Sequence, residues 1–317
     1  MNIPVFDLHC DTALAMIPRE GHPVRNLRKN DCHIDLERAA KLAGYCQCFA
    51  CFTTPFMQEW MQVTPQTVFA QELSVLEKAL AENADVIKQA FSARDVISNR
   101  EAGMMSAILT IEGPAGFGFD PGQLEELYNK GFRITSLGWN EKNLLAGSNT
   151  TGGGLTDLGK AYVAEAQRLG MIIDVSHISD EAFWDIMDVT QAPVIATHSN
   201  SRAVCDHSRN LTDDMFRAIC NTGGVAGFNQ CDAFVGENPD LDTVGKHFLH
   251  FMEMDPDGKH IALGADLDGC DVLPAGFDGV QSYPALADKL RTVGLSEDNL
   301  YDIYWNNALG VMKRCCI

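Results

Sequence analysis

The sequence lacks the features that would direct the chain to a membrane or to a nucleic acid. No stretch of about 18 consecutive apolar residues occurs, so no segment is predicted to span a bilayer. Lysine and arginine number only 24 against 43 aspartates and glutamates, which gives a net charge of −19 with no basic run. Nucleic acid and anionic membrane surfaces are therefore expected to be poor partners.

A secretory signal is also missing. Residues 1–20 contain no basic start followed by an apolar run, so we expect a soluble, cytoplasmic protein. Eleven cysteines in such a chain predict a reducing compartment and free thiols. Cys46, Cys48 and Cys51 cluster in YCQCFACF, but no second pair follows at zinc-finger spacing, so we interpret them as small buried hydrophobes rather than metal ligands.

Short apolar runs that alternate with longer amphipathic stretches make up most of the chain. Eight runs are strand candidates, namely PVFDLH, YCQCFACF, SAILTIEG, FRITSLGW, MIIDVSH, PVIATHS, GGVAGFN and HIALGAD. Helical patterns separate most of them, and Ser179 and Thr212 are the predicted N-caps of two helices. Eight strands in βα alternation predict an α/β fold, a (β/α)8 TIM barrel, which we expect to form a single domain over residues 1–317.

An open doubly wound sheet is the competing architecture. It would normally carry a glycine-rich phosphate turn after the first strand, and HCDTALAM at that position has no glycine. The glycine-rich stretch TTGGGLTD follows a loop rather than a strand, so we interpret it as a flexible active-site loop at best. The barrel is therefore the favoured fold.

Acidic and imidazole side chains stand at the ends of the strand candidates. The residues are His9 and Asp11 after the first strand, Glu112 after the third, His177 after the fifth, His198 after the sixth and Asp266 after the eighth. In a barrel these ends meet at the C-terminal mouth, where barrel enzymes have their active sites. Any one of these residues has an ordinary packing explanation, but all six at strand ends indicate a common site.

The mixture of residue types indicates a metal centre. Imidazole and carboxylate together suit Zn²⁺, and three histidines with several carboxylates exceed the needs of one catalytic zinc. A carboxylate between two ions about 3.5–4 Å apart can bridge them, and the shared water becomes a nucleophile near pH ~7. A carboxylate such as Asp266 can take a proton from that water and pass it to a leaving amine.

These residues resemble the motifs of the membrane (renal) dipeptidase family, a branch of the amidohydrolase-type barrels. The similarity runs over about residues 5–290, through DLHCDT, IEGP, DVSHIS, THSNSRAVCDHSRNL and LGADLDG, and is most specific at 198–211. The resemblance implies two zinc ions per chain, one bound by His9, Asp11 and Glu112, the other by Glu112, His177 and His198. It also implies that Asp266 serves the bridging hydroxide; Asp268 is expected on the opposite face if the strand continues.

Two further residues acquire roles from the resemblance. Arg209, eleven residues beyond His198, would bind the free carboxylate of a dipeptide through its planar guanidinium. Trp139 stands where relatives of the mammalian enzyme have a histidine thought to polarise the scissile carbonyl. Loss of one such donor commonly costs about 2.7–4 kcal/mol in the transition state. Either Trp139 donates that bond, or a metal replaces it, or the substrate differs; plain packing at the barrel mouth is also consistent.

Several readings stay open from the sequence. The leading one is a dipeptidase that attacks the peptide carbonyl with a metal-bridging hydroxide. The alternatives are another metal-dependent amidohydrolase, acting on N-acyl amino acids or lactones, and a metal-binding regulatory barrel without activity, which would be expected to have lost ligands. The resemblance also implies a possible homodimer. Asp7, His9 and Asp11 would share one face of a continuing strand, and Asp7 is expected to orient His9 or to cap the strand.

Overall fold

The computed structural model describes residues 2–19, 21 and 24–316. Its strands are β1 (Val5–Asp7), β2 (Tyr45–Phe52), β3 (Ile87–Gln89), β4 (Met105–Glu112), β5 (Phe132–Ser136), β6 (Ala146–Ser148), β7 (Gly152–Leu155), β8 (Ile172–Asp174), β9 (Val194–Ile195), β10 (Ala226–Phe228) and β11 (Ile261–Leu263). Residues 1 and 317 of the predicted domain range lie outside the described part of the chain.

One or more helices follow each strand except β5 and β6. They are α1 (Thr12–Met16), α2 (Leu36–Ala39), α3 (Met57–Met61), α4 (Pro65–Glu82), α5 (Ala93–Glu101), α6 (Leu124–Lys130), α7 (Asp157–Leu169), α8 (Asp180–Val189), α9 (Asp213–Thr222), α10 (Asp232–Val235), α11 (Leu241–Met254), α12 (Tyr283–Thr292), α13 (Glu297–Tyr301) and α14 (Asn307–Cys315). A π-helical turn, Asp302–Asn306, links the last two. None of the described helices is long and apolar enough to cross a bilayer.

Eight parallel strands form the predicted barrel. Their order is β10-β11-β1-β2-β4-β5-β8-β9. Each strand lies within one of the strand candidates, except that β4 begins one residue earlier, at Met105. A parallel bridge between Ala196 and Ala226 joins the two ends of this order. The backbone N–H of Ala196 donates to the carbonyl of Val225 at 3.0 Å, and that of Gly227 donates to the carbonyl of Ala196 at 2.8 Å. The α/β fold and the TIM barrel are thus confirmed.

The predicted helix starts are also confirmed. Ser179 accepts a hydrogen bond from the N–H of Ala182, and Thr212 accepts one from the N–H of Met215, as N-caps do. Both helices have two acidic residues in the first turn, which suits the positive end of the helix dipole. The caps fix where α8 and α9 begin, directly after the segments that carry His177 and His198.

The glycine-rich segment is not a flexible loop, so that prediction was wrong. Strands β6 and β7 form an antiparallel hairpin. The carboxylate of Glu181 accepts from the N–H of Gly153 at 2.8 Å, and that of Asp185 accepts from Leu155 at 2.7 Å. A Cβ on Gly147 would lie 2.0 Å from the carbonyl oxygen of Gly152, so the two strands need glycine at this close approach. Helix α8 therefore fixes the hairpin on the rim of the barrel.

Two apolar clusters fill the inside and the outside of the barrel wall. The inner cluster includes a side chain from seven of the barrel strands, namely Phe6, Cys48, Ile108, Ile134, Ile172, Ile195 and Ala262. It continues into α14 and Trp305, whose ring packs edge-on against Phe6 at 5.8 Å, so this end of the chain closes the base. The outer cluster joins the other strand faces to the surrounding helices.

The clustered cysteines belong to this apolar packing. Cys46 and Cys48 lie in the inner cluster, and Cys51 lies in the outer one, all fully buried. Burial raises the pKa of each thiol well above its ordinary value. A neutral buried thiol behaves as a small hydrophobe, which agrees with the prediction made for these residues.

Candidate metal centre and active site

The strand ends bring the predicted ligands around one carboxylate, that of Glu112. Its Oε1 lies 2.9 Å from Nε2 of His177 and 3.7 Å from Nε2 of His198. Its Oε2 lies 3.1 Å from Nε2 of His9. The last residue of β4 therefore gives one oxygen to a pair of histidines and its other oxygen to a third histidine.

The His9 side of the cluster is completed by two further carboxylates. Nε2 of His9 lies 3.5 Å from Oδ2 of Asp11 and 3.8 Å from Oδ1 of Asp266. The ring of His9 also stacks on that of His198, with centroids 3.8 Å apart. All six predicted side chains are thus adjacent, as the convergence of parallel strand ends requires.

The cluster has the composition of a cation site. Nε2 of His9 and Oδ1 of Asp11 are buried and have no hydrogen-bond partner among the described residues. The ligand atoms of His9, Glu112 and His198, and likewise those of His9, Asp11 and Asp266, lie within 4.8 Å of one another. Buried polar atoms are costly unless they are paired or bind a metal. Both groups include His9, and their donors fit a bound metal cation in this cluster.

Burial and neighbouring charges set the protonation of the cluster. Burial alone would raise the pKa of Glu112, but His9 and His177 outweigh it and hold that pKa well below the ordinary value. Burial, aided by the charge of Arg209, lowers the pKa of His177 to about 4. Burial also lowers the pKa of His198, again with a contribution from His9. The ionised Glu112 and the neutral imidazoles of His177 and His198 are the forms that bind metal. The pKa of His9 is instead raised well above its ordinary value, because Glu112 and Asp11 outweigh the effect of burial, so His9 would release a proton on binding a metal ion.

Left-handed backbone occurs at three residues of this rim. His177 has a φ of 70°, Asp266 of 58° and Asp268 of 68°, which is strained for residues with a Cβ. The hairpin holds the first of them, because the N–H of Asn149 donates to the carbonyl of His177 at 2.9 Å. A strained backbone conformation persists only where surrounding contacts hold it. At this rim it directs side chains toward the cluster around Glu112.

Asp266 and Asp268, the two aspartates considered for the same role, have different contacts in the structure. Asp266 Oδ2 accepts a hydrogen bond from Asn229 at 3.0 Å, and its other oxygen faces His9. Asp268 lines the same cavity but accepts from the hydroxyl of Thr12 and the N–H of His33, both at 2.6 Å. The expected alternation of faces does not apply, because β11 ends before either residue.

Asp7 does not share a face with His9 and Asp11, so that expectation was wrong. Its carboxylate accepts from the backbone N–H of His9 at 3.0 Å and from the N–H of Ala265 at 2.9 Å. It also accepts from the hydroxyl of Tyr283 on the outer helix α12. Strand β1 ends at Asp7, so the alternation stops there, and Asp7 ties strand ends together instead of orienting the His9 ring.

Trp139 forms part of the wall of a cavity above the cluster. The cavity has a volume of about 160 Å³ and is lined by Asp11, Leu14, Phe52, Glu112, Trp139, His177, Asp266, Asp268 and Gly269. The ring of Trp139 packs edge-on against Phe52 and Trp60, each at 5.3 Å. One side of the cavity is therefore aromatic and the other acidic. A larger groove of about 650 Å³ lies along α4, and its lining contains no predicted ligand.

Arg209 approaches the centre from behind His198. Its Nη1 donates to Oγ of Ser199 and its Nη2 to the carbonyl of His198, both at 3.0 Å. Its Nε is buried and has no partner among the described residues. Arg209 as a whole residue is 4% exposed and does not line the 160 Å³ cavity. Its charge therefore reaches the site, while part of its hydrogen-bonding capacity is already used.

Residues that sequence reasoning missed surround the ligands. Asn140 contacts the far ring nitrogen of His177 at 2.9 Å, and Thr197 contacts that of His198 at 2.7 Å. Asn229 holds Asp266. The available signal was a polar residue next to a predicted site residue, as Thr197 is to His198 and Asn140 to Trp139, and such neighbours are too common to single out by spacing.

The comparisons with known proteins agree on one family. The family model of membrane dipeptidases, peptidase family M19, matches residues 1–315. An uncharacterized protein of Klebsiella pneumoniae is 34% identical over 264 residues, which is 79% of this chain and 97% of that protein. An uncharacterized dipeptidase of Schizosaccharomyces pombe is 37% identical over 216 residues, which is 66% of this chain and 53% of that protein.

Solved structures show the same similarity. A metallopeptidase from Rhodobacter sphaeroides, bound to a phosphinate mimic of the dipeptide L-Ala-D-Ala, has a TM-score of 0.87 at 26% identity. The dipeptidase AC, a metallopeptidase of family M19, has a TM-score of 0.88 at 27% identity. Each alignment covers 99% of both chains, so the similarity extends over the whole barrel.

Proposed function

This chain belongs to the membrane dipeptidase family, peptidase family M19, and is a metal-dependent hydrolase; from that premise we propose a binuclear zinc dipeptidase. Its substrate is a dipeptide with a free C-terminal carboxylate. One observation carries the proposal. Glu112 directs one oxygen to His177 and His198 and the other to His9, which lies beside Asp11.

The ligand set supports two ions of zinc. His9, Asp11 and Glu112 would hold one, and Glu112, His177 and His198 would hold the other. Mixed imidazole and carboxylate ligands are typical of catalytic zinc, and a bridging carboxylate is typical of paired metals. When bound, the ions would activate a water molecule and polarise the scissile carbonyl.

Asp266 is proposed as the catalytic acid and base. Burial, opposed by the charge of His9 and reinforced by that of Asp11, raises the pKa of Asp266 to about 7. A carboxylate at this place can take a proton from the attacking water and return it to the leaving amine. Asn229 holds one oxygen of Asp266, which leaves the other directed at the centre.

Arg209 and Trp139 are proposed to bind the substrate. The free Nε of Arg209 and its positive charge would attract the C-terminal carboxylate, although two of its amino groups already have partners. Trp139 would supply an aromatic wall, and its indole N–H is a donor that can reach a carbonyl. The 160 Å³ cavity beside it favours a small substrate.

The experiment is a screen of the zinc-loaded protein against a dipeptide library that includes L-Ala-D-Ala, the dipeptide mimicked in the Rhodobacter sphaeroides complex. We expect hydrolysis of dipeptides, loss of activity on chelation and recovery on adding Zn²⁺. N-acyl amino acids and lactones form the second arm of the screen. Hydrolysis of those compounds alone would overturn the dipeptidase proposal in favour of another amidohydrolase. Zinc binding without hydrolysis of any compound would favour the metal-binding regulatory barrel.

We also propose that residues 1–317 act as one domain. The barrel uses strands from Val5 to Leu263, and α14 closes its base. A fragment without some of these elements would expose the inner apolar cluster to solvent. The possible homodimer stays a prediction, which sedimentation of the zinc-loaded protein measures.

A further inference from the structure

The two histidines on the Oε1 side of Glu112 are held through their second ring nitrogens. Nδ1 of His198 lies 2.7 Å from Oγ1 of Thr197, and Nδ1 of His177 lies 2.9 Å from Oδ1 of Asn140. A neutral imidazole that offers a lone pair on Nε2 must carry its proton on Nδ1. These two contacts therefore bear on whether either ring can bind a cation.

The direction of the His198 hydrogen bond follows from Asp174. Oδ1 of Asp174 accepts from the N–H of Ser176 at 2.9 Å and of Thr197 at 2.8 Å, and its Oδ2 lies 2.6 Å from the Thr197 hydroxyl. A carboxylate only accepts, so the hydroxyl gives its single proton to Asp174. The Thr197 oxygen is then an acceptor for Nδ1–H of His198.

Asn140 is fixed by the same hairpin that holds His177. The carbonyl of Asn140 accepts from the hydroxyl of Thr150 at the hairpin turn, and the carbonyl of His177 accepts from the N–H of Asn149. The amide oxygen and the imidazole are thus placed by neighbouring hairpin residues. An oxygen facing Nδ1 makes that nitrogen the donor and leaves Nε2 of His177 as an acceptor. This Nε2 lies 2.9 Å from both Oε1 of Glu112 and Nε2 of His198, so the lone pairs meet at one place that a cation would occupy.

We infer that Thr197, backed by Asp174, and Asn140 are positioning residues that hold the Nδ1 protons of His198 and His177 and so present both Nε2 atoms to one cation beside Glu112. The inference rests on the proposed metal centre. It concerns only one of its two ions, because neither contact involves the ring of His9 or the carboxylate of Asp11.

The first test compares Thr197→Val with Thr197→Ser. Metal-free protein is titrated with Zn²⁺ against a chromophoric chelator to obtain two binding constants. We expect Thr197→Val to weaken one constant by about 10–100-fold, the usual effect of losing an outer hydrogen-bond partner of a ligand, and Thr197→Ser to retain it. Thr110→Val is the matched control, since this buried hydroxyl has no partner among the described residues. Equal binding by Thr197→Val and the wild type would overturn the inference.

The second test uses the amide of Asn140. Asn140→Leu removes the acceptor, and we expect one zinc constant to fall by a similar factor of about 10–100. Asn140→Asp keeps only acceptor oxygens and should retain the constant. If Asn140→Asp binds zinc as weakly as Asn140→Leu, the amide donates to His177 and the inference is overturned for this residue.

A spectroscopic measurement on the wild type tests the inference even if the variants fail to fold. In the zinc-loaded wild type, ¹⁵N-detected histidine spectra should show protons on Nδ1 of both His177 and His198; a proton on Nε2 of either would refute the assignment. Zinc binding and tautomers are read without substrate. A protein that shows the expected binding pattern but cleaves no dipeptide would therefore contradict the proposed function and not the positioning role.

Discussion

The two ends of this barrel are built from the same strands but on opposite principles. At the base, the inner side chains are apolar, and Trp305 with α14 covers them. At the mouth, buried histidines and carboxylates replace the apolar residues, and the backbone is left-handed at His177 and Asp266. A strand such as β4 therefore contributes Ile108 to a hydrophobic core and Glu112 to a polar centre within five residues.

The difference shows which interactions hold the side chains in place at each end of the barrel. Apolar side chains at the base are held by close packing, which tolerates no voids. Buried polar and charged groups at the mouth are costly unless each atom has a partner, and hydrogen bonds with Asn229, Thr197 and Asn140 supply some of those partners. We expect substitutions at the base to act on folding and those at the mouth to act on metal and substrate.

The largest effect is expected at Glu112. Glu112→Gln removes one ligand oxygen from the centre, so zinc content measured by atomic emission should fall and dipeptide hydrolysis should drop by far more than the roughly 10–100-fold cost of an outer partner. Glu72→Gln is the control, because Glu72 is also fully buried but contacts the N–H of Phe52 and no ligand. Wild-type hydrolysis by Glu112→Gln would remove the basis of the proposed centre.

The base is tested by Trp305→Ala. Removing a buried indole should lower the free energy of unfolding by about 3–5 kcal/mol, measured by urea denaturation. Because Trp305 contacts Phe6 and lies at the far end of the barrel, zinc stoichiometry and kcat/KM of the folded fraction should be unchanged. A variant with full stability and reduced kcat/KM would contradict the division between the two ends.

Arg209 sharpens the comparison within the mouth. Arg209→Ala should reduce kcat/KM for a dipeptide by roughly 10–100-fold, mainly through KM, because a hydrogen bond to a charged group contributes about 1.5–3 kcal/mol. The dipeptide amide, which has no free carboxylate, serves as the paired substrate and should be affected less. An unchanged KM for the free acid would exclude Arg209 from carboxylate binding.

The smallest effect is expected at Glu72 and depends on pH. Burial raises the pKa of Glu72 well above its ordinary value, and Oε2 has no partner among the described residues. The folded state thus favours the protonated form, and the associated stability is present at low pH and lost as pH rises through the folded pKa. Glu72→Gln should match the wild type near pH 4.5 and become more stable by about 1 kcal/mol in alkaline buffer, in thermal unfolding scans. A difference independent of pH would contradict this.

Much of the barrel and its centre could be predicted because both follow from long patterns. Apolar runs of the right length mark the strands, and each of the predicted ligands stands at or just beyond the end of such a run, as Glu112 and His198 illustrate. The failures occur where the pattern stops. β1 ends at Asp7, so period-two reasoning could not place its carboxylate, which reaches Tyr283.

The hairpin and the positioning residues lay beyond sequence patterns for different reasons. Three consecutive glycines have no side chains to alternate, and the hairpin is ordered by Glu181 and Asp185 from another element. Thr197 and Asn140 are single polar residues whose importance depends on side chains far along the chain, Asp174 for Thr197 and His177 for Asn140. Tertiary contacts decide both cases, and no local propensity records them.

The hairpin has a consequence for engineering this barrel. Its register is locked where Gly147 faces Gly152, and the same strand pair holds the backbone of His177. An inserted or deleted residue between 146 and 155 would shift the pairing of β6 with β7 and the contact with His177. Mutant libraries aimed at new substrates should therefore leave residues 146–155 unchanged. Diversity is better placed at Leu14, Phe52 and Trp139, where the side chains border the cavity.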